Sequence, residues 1–169
     1  PFAFTGNKFE FRSPGSSMSV SDPNVVLNTI VADALMQFAD KLEQAEDFAV
    51  TLNRIIRHTI RDHRRIIFNG NGYSGEWVRE AQSRGLLNEH CTADALPHLL
   101  DEKNVALFER HGVFTRTELR SRMAIMQENY NKTIHIEALT MIDMVNRDIL
   151  PAVIGYSSRL AGAALQKAQ

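Results

Sequence analysis

The sequence predicts a mainly α protein, a helical bundle of long antiparallel helices with one β-strand at its N-terminal end. Three observations carry that prediction. Between Asn24 and Asn69 there is no glycine or proline, and apolar residues recur at intervals of three and four. A second such run opens at Thr115-Arg116-Thr117-Glu118, which has capping-box form, and continues to Ile149. Strict alternation, the mark of a strand, is clear only at Lys8-Phe9-Glu10-Phe11-Arg12.

The alternation sends Lys8, Glu10 and Arg12 to one face of a strand and Phe9 and Phe11 to the other. With Phe2 and Phe4, four phenylalanines crowd the first eleven residues, and Ser13-Pro14-Gly15-Ser16-Ser17 comes next as turn chemistry. Such a segment reads as a buried strand of something larger, a chain entered midway. Left uncovered, Phe9 and Phe11 favour disorder, a repositioned strand or self-association.

Asp22-Pro23 then supplies an N-cap and a proline at the first helical position. Leu27, Ile30, Val31, Ala34, Leu35, Phe38 and Leu42 give the first helix its apolar stripe, and the polar cluster Glu43–Asp47 ends it. The same period restarts with Phe48, Leu52, Ile55, Ile56 and Ile60 and runs to about Phe68. Asn69-Gly70-Asn71-Gly72 is a turn, and Ser74 caps a short helix, Glu76–Arg84, stopped by Gly85. Thr92 is placed to cap a further piece through Leu100, made irregular by Pro97. The third long helix carries Leu119, Met123, Met126, Tyr130, Ile134, Leu139, Ile142, Val145 and Ile149; Pro151 should kink or end it before a last helix, Ala152–Ala168.

Nineteen lysines and arginines nearly cancel twenty acidic residues, so no overall field favours a nucleic acid or a membrane as partner. One cysteine, Cys91, forms no internal disulfide, and no stretch has the length and apolarity of a membrane span; a reducing cytoplasm is the expected location.

Lys8, Glu10 and Arg12 place a cation, a carboxylate and a cation about 7 Å apart along one strand face. A carboxylate can hold a divalent metal, while flanking cations neutralise phosphate and grip a substrate carboxylate. The plainer reading of the pattern alone is a solvated strand face. Other constellations are weaker. His58, Asp62 and His63 offer metal-type ligands without an evident additional partner, and a solvated polar face explains them. Arg54, Arg57, Arg61 and Arg64 form a basic stripe opposite the apolar one, suited to phosphate, RNA or the acidic side chains of a neighbour. The loop Asn69–Ser74 lacks the Gly-Lys-Ser/Thr ending of a phosphate loop. His90 beside Cys91 has no orienting acid, and His135 and Glu137, two apart on a helix, point to different faces.

The segment Phe4-Thr5-Gly6-Asn7-Lys8-Phe9-Glu10-Phe11-Arg12 resembles the late barrel strand of glutamine synthetases, where Glu-x-Arg follows a basic residue. Asp22–Leu35 resembles that family's following helix, and Arg65–Tyr73 together with Glu137–Met144 is similar to the type III class specifically. The resemblance implies that residues 1–21 are the final strand and loop of a catalytic barrel and 22–169 the C-terminal helical region, in an enzyme that is α+β when complete. It implies ATP-dependent condensation of glutamate with ammonium through a γ-glutamyl phosphate, with Mg2+ or Mn2+. Glu10 would then be a metal ligand, Arg12 a catalytic residue contacting glutamate and the transferring phosphoryl group, and Lys8 a nucleotide-phosphate contact. The family usually has arginine at the position of Lys8, and lysine keeps the charge without the bidentate geometry. The family's other metal ligands lie upstream of this segment, so the chain alone should be inactive. The complete protein is expected to be a homo-oligomer, a dodecamer in the family's pattern, without nucleic acid or membrane partners. A different class of function also fits the residues: a helical interaction module using the Arg54–Arg65 stripe.

Overall fold

Gly6, at φ +97°, takes a backbone conformation that side chains disfavour and lets the chain reverse after Phe4. The computed structural model describes residues 2–12, 15 and 18–168. It opens with a hairpin where the sequence predicted one strand. Strands β1 (Phe2–Phe4) and β2 (Phe9–Phe11) pair antiparallel in the register Phe2 to Phe11, Ala3 to Glu10 and Phe4 to Phe9. The Thr5 N–H and hydroxyl both donate to the Lys8 carbonyl, at 2.9 and 3.1 Å, closing the connection. Three residues are too few for β1 to show a period of its own, which is why the alternation of β2 alone was legible. The rings of Phe4 and Phe9 meet at 5.1 Å, yet both are exposed, at 65% and 70%. The predicted turn at Ser13–Ser17 lies, apart from Gly15, outside the described residues.

Beyond the hairpin the chain is helical, in agreement with the predicted mainly α class. Helix α1 (Ser21–Glu43) starts within two residues of the expected place, with Asp22 in its first turn facing the positive end of the helix dipole. Helix α2 (Phe48–Asp62) is capped by Asp47, whose side chain accepts from the Val50 N–H at 3.0 Å. The four residues between them make an αα-hairpin. Helix α2 ends at Asp62, short of the predicted Phe68, and continues as a 3-10 turn, Arg64–Ile66, into extended backbone at Ile67. The cause is nonlocal. Arg84 donates through Nη1 to the carbonyls of Arg65 and Ile67, at 3.1 and 2.9 Å, and Phe68 stacks on Trp77 at 4.1 Å.

Helix α3 (Gly75–Ser83) has the expected ends: Ser74 accepts from the Trp77 N–H at 3.2 Å, and Gly85, at φ +70°, closes it with the Leu86 N–H on the Ala81 carbonyl. Helix α4 (Thr92–Ala95) is capped in position by Cys91, one residue before the predicted Thr92, and runs into 3-10 turns at Leu96–Leu100 around Pro97.

Helix α5 (Glu102–Arg110) was not foreseen, and it furnishes the core. Val105 and Phe108 are almost fully buried with Leu119, and Val25, Leu100 and Phe114 pack around them. Gly112, at φ +62°, ends α5 with the Val113 N–H donating to the Phe108 carbonyl. That reversal brings Phe114 to Phe108, with ring centroids 5.5 Å apart. The predicted capping box then forms in both directions: the Glu118 carboxylate accepts from the Thr115 N–H at 2.8 Å, and Thr115 Oγ1 accepts from the Glu118 N–H at 3.3 Å.

Two units divide the chain, Pro1–Leu119 and Arg120–Gln169. The second holds most of α6 (Arg116–Met144), a π-helical turn at Val145–Ile149, and α7 (Leu150–Lys167). Pro151 thus neither ends the helical run nor leaves it regular. It has no N–H to donate and its ring crowds the carbonyl four residues back, and the wider turn, with the Leu150 N–H on the Val145 carbonyl, accommodates it. Pairs spaced four apart support the helix surface, Lys132 with Glu128 at 2.6 Å and Arg147 with Asp143 at 3.0 Å. No described residue of this unit is buried, and Ile136, Met141 and Ile154 are each more than 60% exposed.

Candidate functional site

On β2, Glu10 faces away from the exposed phenylalanines and is half-buried. Arg12, just past the strand, folds back along the same face and donates from Nε and Nη2 to Glu10 Oε2, at 3.0 and 2.7 Å. This close carboxylate holds the Arg12 guanidinium pKa above its ordinary value, and the phenol of Tyr73 beside it adds a smaller push in the same direction. Tyr73 comes from the Asn69–Ser74 turn, sixty-one residues along the chain (73 minus 12). Sequence reasoning saw that loop as a turn and missed the contact, since nothing local couples a tyrosine to a distant arginine. Asn71 builds the turn, its side chain accepting from the Tyr73 N–H at 3.0 Å and its carbonyl from the Ser74 hydroxyl at 2.9 Å.

Lys8 stands in the hairpin connection and not within β2, so the three charged residues form a pair with a neighbour at the turn. Its ammonium has no carboxylate partner among the described residues.

A divalent ion prefers oxygen donors, and Glu10 is of that type, with Oε2 given to Arg12 and Oε1 without a hydrogen bond among the described residues. One carboxylate is far from the six ligands such ions take. Among the described residues, no group of three or more His, Cys, Asp or Glu is arranged to hold a metal. That includes His58, Asp62 and His63. His58 instead meets Arg61, whose Nη2 lies 2.8 Å from Nδ1; guanidinium can only donate, so Nδ1 accepts. Arg61 also pairs with Asp62 at 3.2 Å. Arg54, Arg57 and Arg64 have no ion-pair partner among the described residues, leaving the basic stripe largely uncompensated. Cys91 donates its thiol to Asp94 at 3.0 Å, a local contact at the start of α4, with His90 turned toward Asn88.

Two histidine contacts serve structure. Asp33 on α1 accepts from Arg110 at 2.7 Å, from His111 at 2.9 Å and from Gln37 at 2.6 Å, fastening α1 to the end of α5. These bonds, that of His111 first, hold the Asp33 carboxyl below the usual carboxylate range. His98 lies between Asp101, at 2.9 Å, and Glu89, at 3.3 Å, and both raise its pKa.

The described residues are thus mainly helical, with one carboxylate–guanidinium pair, Glu10–Arg12, on their hairpin. Comparison with known proteins gives the family. Residues 51–168 match the glutamine synthetase C-terminal domain, and the chain belongs to that family. It is 44% identical over 164 residues to a type-3 glutamine synthetase of Dictyostelium discoideum, covering 95% of this chain and 22% of that protein. It is 38% identical to a glutamine synthetase of Butyrivibrio fibrisolvens, over 99% of this chain and 24% of the relative, and 34% identical to one of Bacteroides fragilis, over 95% and 22%. The chain therefore spans less than a quarter of the length of these relatives. No helix among the described residues is long and apolar enough to cross a membrane.

Proposed function

We propose that this chain is part of a type III glutamine synthetase, an enzyme that uses ATP to join ammonium to the γ-carboxyl of glutamate. The observation that supports this best is the 44% identity to a type-3 glutamine synthetase across nearly the whole chain. In this reading residues 1–21 are the last strand and loop of the catalytic barrel, and 22–169 are the helical region after it. The complete protein is cytoplasmic and works as a ring-shaped homo-oligomer, a dodecamer.

Three residues of this chain reach the site. Glu10 would hold an Mg2+ or Mn2+ through a carboxylate oxygen, and the ion would supply positive charge to stabilise the phosphoryl oxygens of ATP. Arg12 has a raised pKa and a planar fork, so it remains a cation able to hold the substrate carboxylate and the phosphoryl group passing to it. Its present hold on one Glu10 oxygen keeps the guanidinium on the Glu10 face of the strand. Lys8, in the turn and without an acidic partner among the described residues, supplies a point charge for the nucleotide phosphates. With one carboxylate present, the chain by itself has no route to γ-glutamyl phosphate and is inactive.

The test is Glu10→Ala in the complete enzyme. Metal-dependent glutamine formation should fall by at least about a thousandfold, comparable to losing an electrostatic partner of a transferring phosphoryl group, with helicity unchanged. Undiminished turnover would overturn the assignment.

A further inference from the structure

A second polar site lies away from the hairpin strand, in the cleft of about 640 Å3 between α1 and α2. Lys41 of α1 and Arg54 of α2 are both exposed there, and neither has an ion-pair partner among the described residues. The cleft also contains Asp33 and Asp62, but both are committed: Asp33 to Arg110 and His111, and Asp62 to Arg61. The uncompensated charge is therefore positive. The cleft is not polar throughout, since Ile30, Ala34, Phe38 and Ile55 also line it.

We propose that the α1–α2 cleft binds a small organic dianion, a phosphate monoester or a dicarboxylate, with its charged groups on Lys41 and Arg54 and its carbon skeleton along Phe38 and Ile55. The physical reasons are three. Lys41 and Arg54, carried by the two helices of one hairpin, line the same cleft without an acidic partner among the described residues, and a dianion would offer one to each. Guanidinium offers bidentate geometry to phosphate or carboxylate, and ammonium adds a point charge. The volume and the mixed apolar and charged lining suit a metabolite-sized ligand. A zwitterion is disfavoured because the carboxylates that would receive its ammonium are already occupied. The proposal does not depend on the ligase reading, as it uses none of Lys8, Glu10 or Arg12.

Isothermal titration of this chain, within the full-length protein, with phenyl phosphate and, separately, with succinate tests it. Saturable binding of one equivalent is expected for at least one of them, and which one binds identifies phosphate or dicarboxylate as the ligand type. Arg54→Gln and Lys41→Gln should each weaken it by about tenfold or more, as loss of a charged hydrogen bond does. Arg54→Lys, which keeps the charge, should lose less. Lys132→Gln, in the other unit, should leave affinity unchanged, and added salt should weaken binding. Since both cleft residues are exposed, unchanged far-UV circular dichroism will confirm that the variants fold. No saturable binding of either compound, or equal affinity in wild type and both glutamine variants, would overturn the proposal. So would binding of an RNA oligonucleotide without either small dianion, which would move the function to the outer arginine face of α2.

Discussion

The two units of the chain solve the same problem differently. In Pro1–Leu119 helices of very different length, from α1 to α4, meet, and three nearly fully buried side chains, Val105, Phe108 and Leu119, form one small core. In Arg120–Gln169 the helical run is long and well furnished with local support, yet no described residue is buried. The contrast shows that the signals for a helix can lie within its own segment while the surface that covers its apolar face lies outside it. Propensity, spaced ion pairs and a tolerated proline specify the second unit's helix turn by turn. Only a partner surface can use the apolar residues it displays, because helical stability in proteins comes mostly from packing one face.

Damage to the core should therefore tell on the first unit alone. Phe108→Ala deletes a ring packed against Phe114, and a loss of about 3–5 kcal/mol is expected for a buried phenylalanine. In a urea titration the signal of Trp77, within the first unit, should shift to much lower denaturant. An unchanged Trp77 midpoint would mean that α5 does not organise that unit.

Thr115→Ala examines the start of α6, where a local signal opens the long helix. Loss of the hydroxyl arm of the capping box should cost about 1 kcal/mol and lower the helical signal at the start of α6. If helicity and midpoint both stay put, packing at Leu119 is sufficient to start the helix.

The smallest effect should appear only in acid. Asp33 is held below the usual carboxylate range in the folded chain, so its contribution is fully present above the ordinary aspartate pKa and is lost as pH falls through the lowered folded value. Urea midpoints measured from neutral pH down through that window should drop more steeply for wild type than for Asp33→Asn. Parallel profiles would show that the contacts with Arg110 and His111 do not contribute to stability.

The candidate site divides in the same manner. Glu10 and Arg12 were legible because alternation along five residues puts them on one strand face, and the structure joins them at 2.7 Å. Lys8 was placed in the strand by the same alternation, but the hairpin turn takes its carbonyl and removes it from β2. Tyr73 beside Arg12 and the meeting of Lys41 and Arg54 at one cleft had no signature at all, because each unites residues from separate elements.

By itself the sequence determined where α3 begins and stops and where α6 begins. Ser74, Gly85 and the Thr115–Glu118 box act on the backbone within a few residues, so their effect is written in local spacing. It also determined the mainly helical class, through long runs free of glycine and proline. Only the tertiary structure decided that α2 stops at Asp62, that α5 forms and carries the core, and that Asp33 fastens α1 to α5. Those outcomes rest on Arg84 reaching back to the Arg65 and Ile67 carbonyls, on Phe108 meeting Leu119, and on a carboxylate meeting residues seventy-seven and seventy-eight positions away. Contacts between distant segments depend on the closed chain, and no periodicity within either segment encodes them.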